Sequence, residues 1–117
     1  MNFSMQRMKF FLLLTLFVLC PLSVQASTDD IKAVVLAKQN ACLGCHALDK
    51  KIVGPSLQAV AKKYANDPNA KAFLKNKILK GGSGSWGVVP MPANAKLSDA
   101  DVALLVSWIL RGAPSAN

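Results

Sequence analysis

A Cys-x-x-Cys-His segment at residues 42–46 constrains this chain most, because it places two thiols and one imidazole within five residues. Thiols three positions apart lie on one side of a tight turn, from which both can reach the two vinyl groups of a porphyrin. This spacing is typical of covalent haem attachment. The motif therefore predicts thioether bonds from Cys42 and Cys45 to one haem c, with His46 facing the iron.

Two other uses of a Cys-x-x-Cys pair remain open at this point. A thioredoxin-like redox pair lies at a strand-to-helix junction in a βαβ pattern, and this sequence has no such β pattern. A structural zinc site needs four ligands, and the chain lacks a second pair of Cys or His residues to supply them. Both interpretations fit the sequence less well than haem attachment.

Residues 1–26 have the features of a cleaved secretory signal peptide. Arg7 and Lys9 precede an apolar run, and Ala26 ends a small-residue cleavage site. Cys20 raises the alternative of a lipoprotein, but Leu19 is larger than the residue such a site requires. We therefore expect a domain at residues 27–117, exported to the periplasm and without stable membrane insertion.

The expected mature chain contains one complete set of ligands for one haem. Its only histidine is His46, its only methionine is Met91, and its only cysteines are those of the motif. Met91 lies between Pro90 and Pro92, which restrict the backbone on both sides. A methionine can also simply fill a core, but the rigid loop favours iron ligation. Two protein ligands leave no open position on the iron, which predicts electron transfer without bond-making chemistry.

The charge balance indicates the kind of partner. Residues 27–117 keep twelve of the fourteen basic residues and all six acidic ones, so their net charge is +6. The lysines are dispersed and no nucleic-acid-binding motif is present, which argues against a nucleic-acid partner. Steering toward acidic redox proteins is the better interpretation. The lysines that could form a positive face are Lys50, Lys51, Lys62, Lys63, Lys75, Lys77, Lys80 and Lys96.

Helical spacing of apolar residues predicts an all-α chain of four or five short helices. The first follows capping and acidic residues at 28–30, with its apolar positions at Ile31, Val34 and Val35. The second begins after Ser56. Its apolar positions are Leu57, Val60, Ala61 and Tyr64.

Two further helices complete this expectation. Asp67 and Pro68 predict the start of a third helix, which ends at Gly81-Gly82. Its expected buried residues are Phe73, Leu74, Ile78 and Leu79. Ser98 and Asp101 form a capping-box pattern before the last helix. Its apolar stripe consists of Val102, Leu105, Val106, Ile109 and Leu110, with Trp108 in the core.

Taken together, the motifs resemble the small monohaem class I cytochromes c of bacterial periplasmic respiration. The resemblance covers essentially all of residues 27–117. It implies the class I cytochrome c fold, with the first and last helices packed together and one haem edge exposed. It also implies His46 and Met91 as the axial ligands. The residues that carry it are Asn40 with the 42–46 motif, Val53-Gly54-Pro55, Trp86-Gly87, Pro90-Met91-Pro92 with Asn94, and the terminal Leu105 and Trp108-Ile109-Leu110.

The resemblance also implies supporting roles around the iron. The Pro55 carbonyl accepts a hydrogen bond from His46, Trp86 donates its indole N–H to a haem propionate, and Asn94 donates to the Met91 sulfur. Two positions depart from the family's pattern. Ala93 replaces a proline found in many relatives, and Lys77 replaces an arginine near a propionate, which leaves open whether Lys77 or Lys80 makes that contact.

The function expected from these observations is that of a soluble, monomeric periplasmic electron carrier rather than an enzyme. The resemblance suggests a quinol-oxidising complex as donor, and a nitrite reductase, oxidase or peroxidase as acceptor. One alternative is a haem subunit or docking module of a larger redox complex. Another is a peroxidase or gas sensor in which Met91 leaves the iron, but no second histidine is present in residues 27–117 to assist it.

Overall fold

The structure is a computed structural model that describes residues 27–116, so the leader expected at 1–26 lies outside the described residues. Within that range the chain forms five helices and no strands, which confirms the all-α expectation. Among the same residues, no helix has the length and apolarity needed to cross a bilayer. The helices are α1 (Thr28–Gln39), α2 (Cys42–Cys45), α3 (Leu57–Tyr64), α4 (Ala70–Lys80) and α5 (Asp99–Leu110).

Helix α1 forms where expected, but it buries a different face. Its N-cap is Ser27 rather than the predicted Thr28, and the Ser27 hydroxyl accepts a hydrogen bond from the Asp30 backbone N–H. The buried face carries Ala33 and Ala37, whereas Ile31 and Val35 are 47% and 45% exposed. The prediction that Ile31 and Val35 lie on the buried face was therefore wrong. Small alanine side chains let a neighbouring helix approach closely, since the distance between helix axes depends on the residues at the contact.

Helix α3 confirms its predicted apolar face, and α5 does so for most of its stripe, with Ile109 and Leu110 only half-buried. All four apolar positions of α3 are buried, and the Ser56 hydroxyl accepts a hydrogen bond from the Ala59 N–H at its start. In α5, Trp108 is fully buried and its indole Nε1 donates to the Pro114 carbonyl. Ser98 caps α5 by accepting from the Asp101 N–H at 3.2 Å. Ser98 also donates to the Asp101 carboxylate, a variation on the capping box.

Helix α4 begins later than the sequence predicted. Asp67 accepts a hydrogen bond from the Asn69 N–H in a turn, and the helix starts at Ala70. Asp and Asn readily form such local turns, which compete with helix initiation. Leu74 and Ile78 are buried as expected, but Phe73 remains 36% exposed. The predicted end is confirmed, since Gly81 is the C-cap.

Helix α5 is the centre of the fold, because α1, α3 and α4 all pack against it. The contact between α1 and α5 is the one that the family resemblance implied. An ion pair adds to this contact between α1 and α5: the Arg111 guanidinium at the end of α5 donates to the Asp30 carboxylate in α1. The long loops at 46–56 and 81–98 lie outside this helical core and contribute to the walls of one cavity.

Candidate functional site

A cavity of about 300 Å³ opens between α3, α4 and the two long loops. Its walls bring together six of the seven residues that the sequence analysis selected for the site. Asn94 is the exception, because it is not among the lining residues. The six that line the cavity are Cys42, Cys45, His46, Pro55, Trp86 and Met91.

The two thiols are presented by the single helical turn of α2. Ala41 precedes it in a left-handed conformation (φ 56°), and the His46 N–H closes it by donating to the Cys42 carbonyl at 3.0 Å. Neither cysteine is in a disulfide, so both sulfurs remain available for thioethers. Burial raises the pKa of the Cys42 thiol, which favours its protonated form.

The loop after α2 holds the His46 imidazole. His46 Nδ1 lies 2.7 Å from the Pro55 carbonyl oxygen. Because a carbonyl oxygen can only accept, Nδ1 carries a proton, and in the neutral imidazole Nε2 then has the lone pair that a metal requires. Gly54 lies against the ring, where a Cβ would stand 2.6 Å from His46 Cε1. Only glycine allows the backbone to approach the imidazole so closely.

Met91 is held by the end of α4. Its N–H and carbonyl form a pair of 2.9 Å hydrogen bonds with Gly82. Three residues further on, the Asn94 N–H donates to the carbonyl of Ile78, one of the groups left unpaired at a helix C-terminus. Asn94 thus fixes this loop through its backbone. The 81–97 segment is anchored at both sides of Met91.

Basic and aromatic side chains form the outer part of the cavity wall. Lys51 and Lys77 line the cavity, and Lys80 does not. Lys77 Nζ lies 5.8 Å from the centre of the Phe73 ring. Trp86 is 43% exposed and lies beneath the ammonium of Lys63, 4.4 Å from its ring centre.

The residues of this cavity fit a covalently attached haem. Two thiols, an imidazole and a thioether are the donors that haem c uses, and the rest of the wall is mainly apolar. Several large apolar side chains of that wall are still exposed, including Val89 at 62% and Val53 at 55%. A flat apolar group bound in the cavity would contact part of this exposed apolar surface.

The described residues offer no comparable metal site of another kind. In the 27–116 range, no group of three or more His, Cys, Asp or Glu side chains could hold a metal ion together. The cavity wall in that range also contains no carboxylate. These observations disfavour the zinc interpretation.

Three contributing residues were not recognised as such from the sequence. Gly54 entered only as part of the family resemblance, Gly81 as the end of a helix, and Lys63 as one of eight lysines that could form a positive face. The two consecutive glycines after α4 were the available signal, since such a pair commonly marks a close approach of backbone. Nothing in the sequence distinguishes Lys63 from Lys62.

Comparisons with known proteins identify the family of this chain. Residues 29–113 match the cytochrome c family. Cytochrome c-552 of Nitrosomonas europaea is 49% identical over 75 residues, which cover 64% of this chain and 73% of that protein. Cytochrome c-551 of Pseudomonas aeruginosa is 45% identical over 76 residues, covering 65% of this chain and 72% of that one.

Solved structures lead to the same result. The crystal structure of wild-type N. europaea cytochrome c552 superposes with a TM-score of 0.65 at 47% identity, covering 68% of this chain and 98% of that chain. The class 1 cytochrome MtoD of Sideroxydans lithotrophicus has a TM-score of 0.66 at 33% identity, covering 75% and 100%. The chain therefore belongs to the cytochrome c family, as a class I bacterial member that carries one covalently bound haem c.

Proposed function

We propose that this cytochrome is a soluble periplasmic carrier of single electrons, with His46 and Met91 as the axial ligands of its haem iron. Cys42 and Cys45 hold the haem by thioethers. The observation that carries the proposal is that one cavity collects both thiols, the imidazole and the only thioether of residues 27–117. As a small cytochrome c the protein transfers electrons and is not an enzyme.

The haem supplies the one-electron chemistry, its iron alternating between the ferrous and ferric states. The chain's own residues determine how that iron is held. The hydrogen bond to Pro55 keeps the His46 ring in one orientation and one tautomer, as carbonyl partners of metal-binding histidines do. The two backbone hydrogen bonds with Gly82 hold the main chain of Met91 in place. If His46 and Met91 both ligate the iron, no position would remain for a substrate to bind to it.

Charged and polar groups near the cavity mouth suit the two carboxylates of a porphyrin. We assign the propionate contact to Lys77 rather than Lys80, since only Lys77 lines the cavity. The Trp86 indole, on the same wall, is a second donor. We assign Asn94 a different role. Because its backbone N–H donates to the Ile78 carbonyl, we infer that it holds the Met91 loop rather than donating to the sulfur.

Export to the periplasm rests on the leader at residues 1–26. Its positive start, apolar run and small cleavage residues follow the pattern of secretory signals. Haem c attachment through paired cysteines also fits an exported protein, because thiols left unattached would tend to oxidise there. The expected product is a monomer of residues 27–117.

Redox proteins with acidic surfaces are the expected partners, with a quinol-oxidising complex as donor and a nitrite reductase, oxidase or peroxidase as acceptor. The net charge of +6 on residues 27–117 supports this choice. Lys75 contributes less than the other lysines, since its Nζ lies 3.1 Å from the Asp99 carboxylate. Lys51 and Lys77, on the cavity wall, are best placed for steering.

The rival function, a peroxidase or gas sensor, would need Met91 to leave the iron and a nearby acid or base to assist. Lining residues from the described part of the chain include no carboxylate and no histidine besides His46. Binding of carbon monoxide by the native reduced protein would favour this rival. A docking module of a larger complex would instead sediment together with its partner.

Denaturing acid–acetone extraction and intact mass spectrometry test the attachment. We expect the haem to stay with the wild-type polypeptide and its mass to be added to the chain. Replacing both cysteines, as Cys42→Ala and Cys45→Ala together, should release the haem into the organic phase. A wild-type protein that yields free haem would refute the proposed attachment.

A further inference from the structure

Residues 82–87 form a part of the cavity wall that has few large side chains. It consists of glycines and serines up to Trp86, and most of its residues are exposed. Gly82, Gly84 and Gly87 all have positive φ, and nothing would lie within 4 Å of a Cβ on the last two. A segment that buries so few side chains gains little from packing, so a small number of polar contacts must hold it.

One lysine makes two of those contacts. Lys63 Nζ donates to the Ser85 carbonyl oxygen at 2.6 Å, across 22 residues of sequence. The same ammonium lies over the Trp86 ring, 4.4 Å from its centre, which is within the range of a cation–π interaction. Lys63 belongs to α3, one of the helices packed on α5. It therefore connects the glycine- and serine-rich 82–87 segment to the helical core.

The segment is continuous with the Met91 loop. Gly82, its first residue, exchanges two backbone hydrogen bonds with Met91, and the Gly84 N–H donates to the Gly87 carbonyl at 2.7 Å. Beyond Trp86 the chain runs through Val88 and Val89, both well exposed, to Pro90. No other side chain of the described residues donates a hydrogen bond to residues 83–87.

We propose that Lys63 is a positioning residue that holds the 82–87 segment and the Trp86 indole against the cavity and thereby limits the displacement of Met91. The part concerning Met91 rests on the proposed iron ligation. The part concerning the segment does not. Arginine at position 63 keeps a cation and a donor, whereas methionine keeps the length of the side chain but neither of those groups.

The test compares four ferrous holoproteins: wild type, Lys63→Met, Lys63→Arg and Lys62→Met. Lys62 is the matched control, because it is the preceding exposed residue of the same helix and its replacement changes the net charge equally. Amide hydrogen exchange of Gly84 is followed by NMR, with the buried amides of α5 as internal reference. We expect exchange about tenfold faster in Lys63→Met, equivalent to about 1.4 kcal/mol. Lys62→Met should match wild type and Lys63→Arg should recover most of the protection.

The second readout is the rate at which imidazole displaces Met91 from the ferric protein. We expect it to rise severalfold in Lys63→Met alone and to return toward wild type in Lys63→Arg. Unchanged Gly84 exchange, or an equal change in Lys62→Met, would overturn the proposal. So would faster Gly84 exchange with an unchanged imidazole rate. If wild-type protein lacks sulfur ligation altogether, the Met91 assignment fails, and the exchange data still decide whether Lys63 holds the segment.

Discussion

Gly81 and Met91 approach so closely that a Cβ on Gly81 would stand 2.2 Å from the Met91 carbonyl oxygen. Gly81 is also the C-cap of α4, with φ 67° and ψ −148°, a conformation that side chains strongly disfavour. One residue thus ends the helix and makes room for the loop that carries Met91. The position of the Met91 thioether therefore depends on the end of α4 as well as on Pro90 and Pro92, which flank Met91.

Gly81→Ala should therefore weaken both the fold and the hold on Met91. Backbone strain alone costs about 1–3 kcal/mol, and the contact with Met91 adds displacement of the loop. Gly112→Ala is the matched control, because Gly112 also has positive φ (91°) but would have nothing within 4 Å of its Cβ. We expect both variants to lower the melting temperature, and only Gly81→Ala to make the reduced protein bind carbon monoxide. Equal carbon monoxide binding by the two would refute this role.

Gly54→Ala should disturb the imidazole. A Cβ at this position would collide with the His46 ring at 2.6 Å, and the neighbouring Pro55 carbonyl would lose its 2.7 Å contact with Nδ1 if the ring moved. Gly44→Ala provides the control within the haem motif, since nothing would lie within 4 Å of its Cβ. We expect a shifted Soret band and a lower yield of holoprotein for Gly54→Ala only. A normal spectrum for that variant would contradict the packing described for His46.

Helix prediction from the sequence succeeded where apolar residues are large and periodic. The stripes of α3 and α5 identify their buried faces, because burying leucine, valine and tryptophan dominates the energetics. It failed for α1, where Ala33 and Ala37 are buried and the larger Ile31 and Val35 are exposed. There the close approach of α5 selects small residues, which a hydrophobicity pattern does not detect.

The haem-attachment motif was similarly accessible, because both thiols and the imidazole are local in sequence. Ligation by Met91 stays a prediction, made because no other methionine is present in residues 27–117. The supporting contacts were less accessible. Gly54 against His46, and Lys63 against Ser85, depend on segments that meet only after folding. A lysine that makes such contacts has the same appearance in the sequence as its solvated neighbour.

The ion pair between Asp30 and Arg111 predicts a pH dependence of stability. The hydrogen bond from the Arg111 guanidinium holds the pKa of Asp30 below its ordinary value. A lowered carboxylate pKa stabilises the fold at neutral pH, and this contribution is lost as the pH falls below about 4 and Asp30 becomes protonated. Asp30→Asn should thus melt several degrees below wild type at pH 7, with the difference shrinking in acid.

Asp29→Asn is the control for that comparison, because Asp29 lies in the same first turn of α1 and is exposed. It removes the same charge from the helix N-terminus without touching Arg111. We expect its melting temperature to change much less at pH 7. If Asp29→Asn and Asp30→Asn melt together at every pH, the ion pair does not stabilise the contact between α1 and α5.

Electron transfer with an acidic partner should slow as ionic strength rises. The net charge of +6 on residues 27–117 attracts such a partner over a distance set by the Debye length, about 30 Å at 0.01 M salt and about 10 Å at 0.1 M. Stopped-flow kinetics over this range would measure the effect. Lys51→Gln, on the cavity wall, should lower the rate at low salt more than Lys71→Gln, which lies outside it. A salt-independent rate would contradict steering.

The near-red sulfur-to-iron absorption band of the ferric protein tests the central assignment most directly. Met91 is the only thioether in residues 27–117, so the band has no other source in that domain. Wild-type protein should show the band, and Met91→Ala should lose it, with a lower reduction potential and open binding of carbon monoxide. A wild-type protein without the band, or a Met91→Ala variant with unchanged spectrum and potential, would contradict ligation by His46 and Met91.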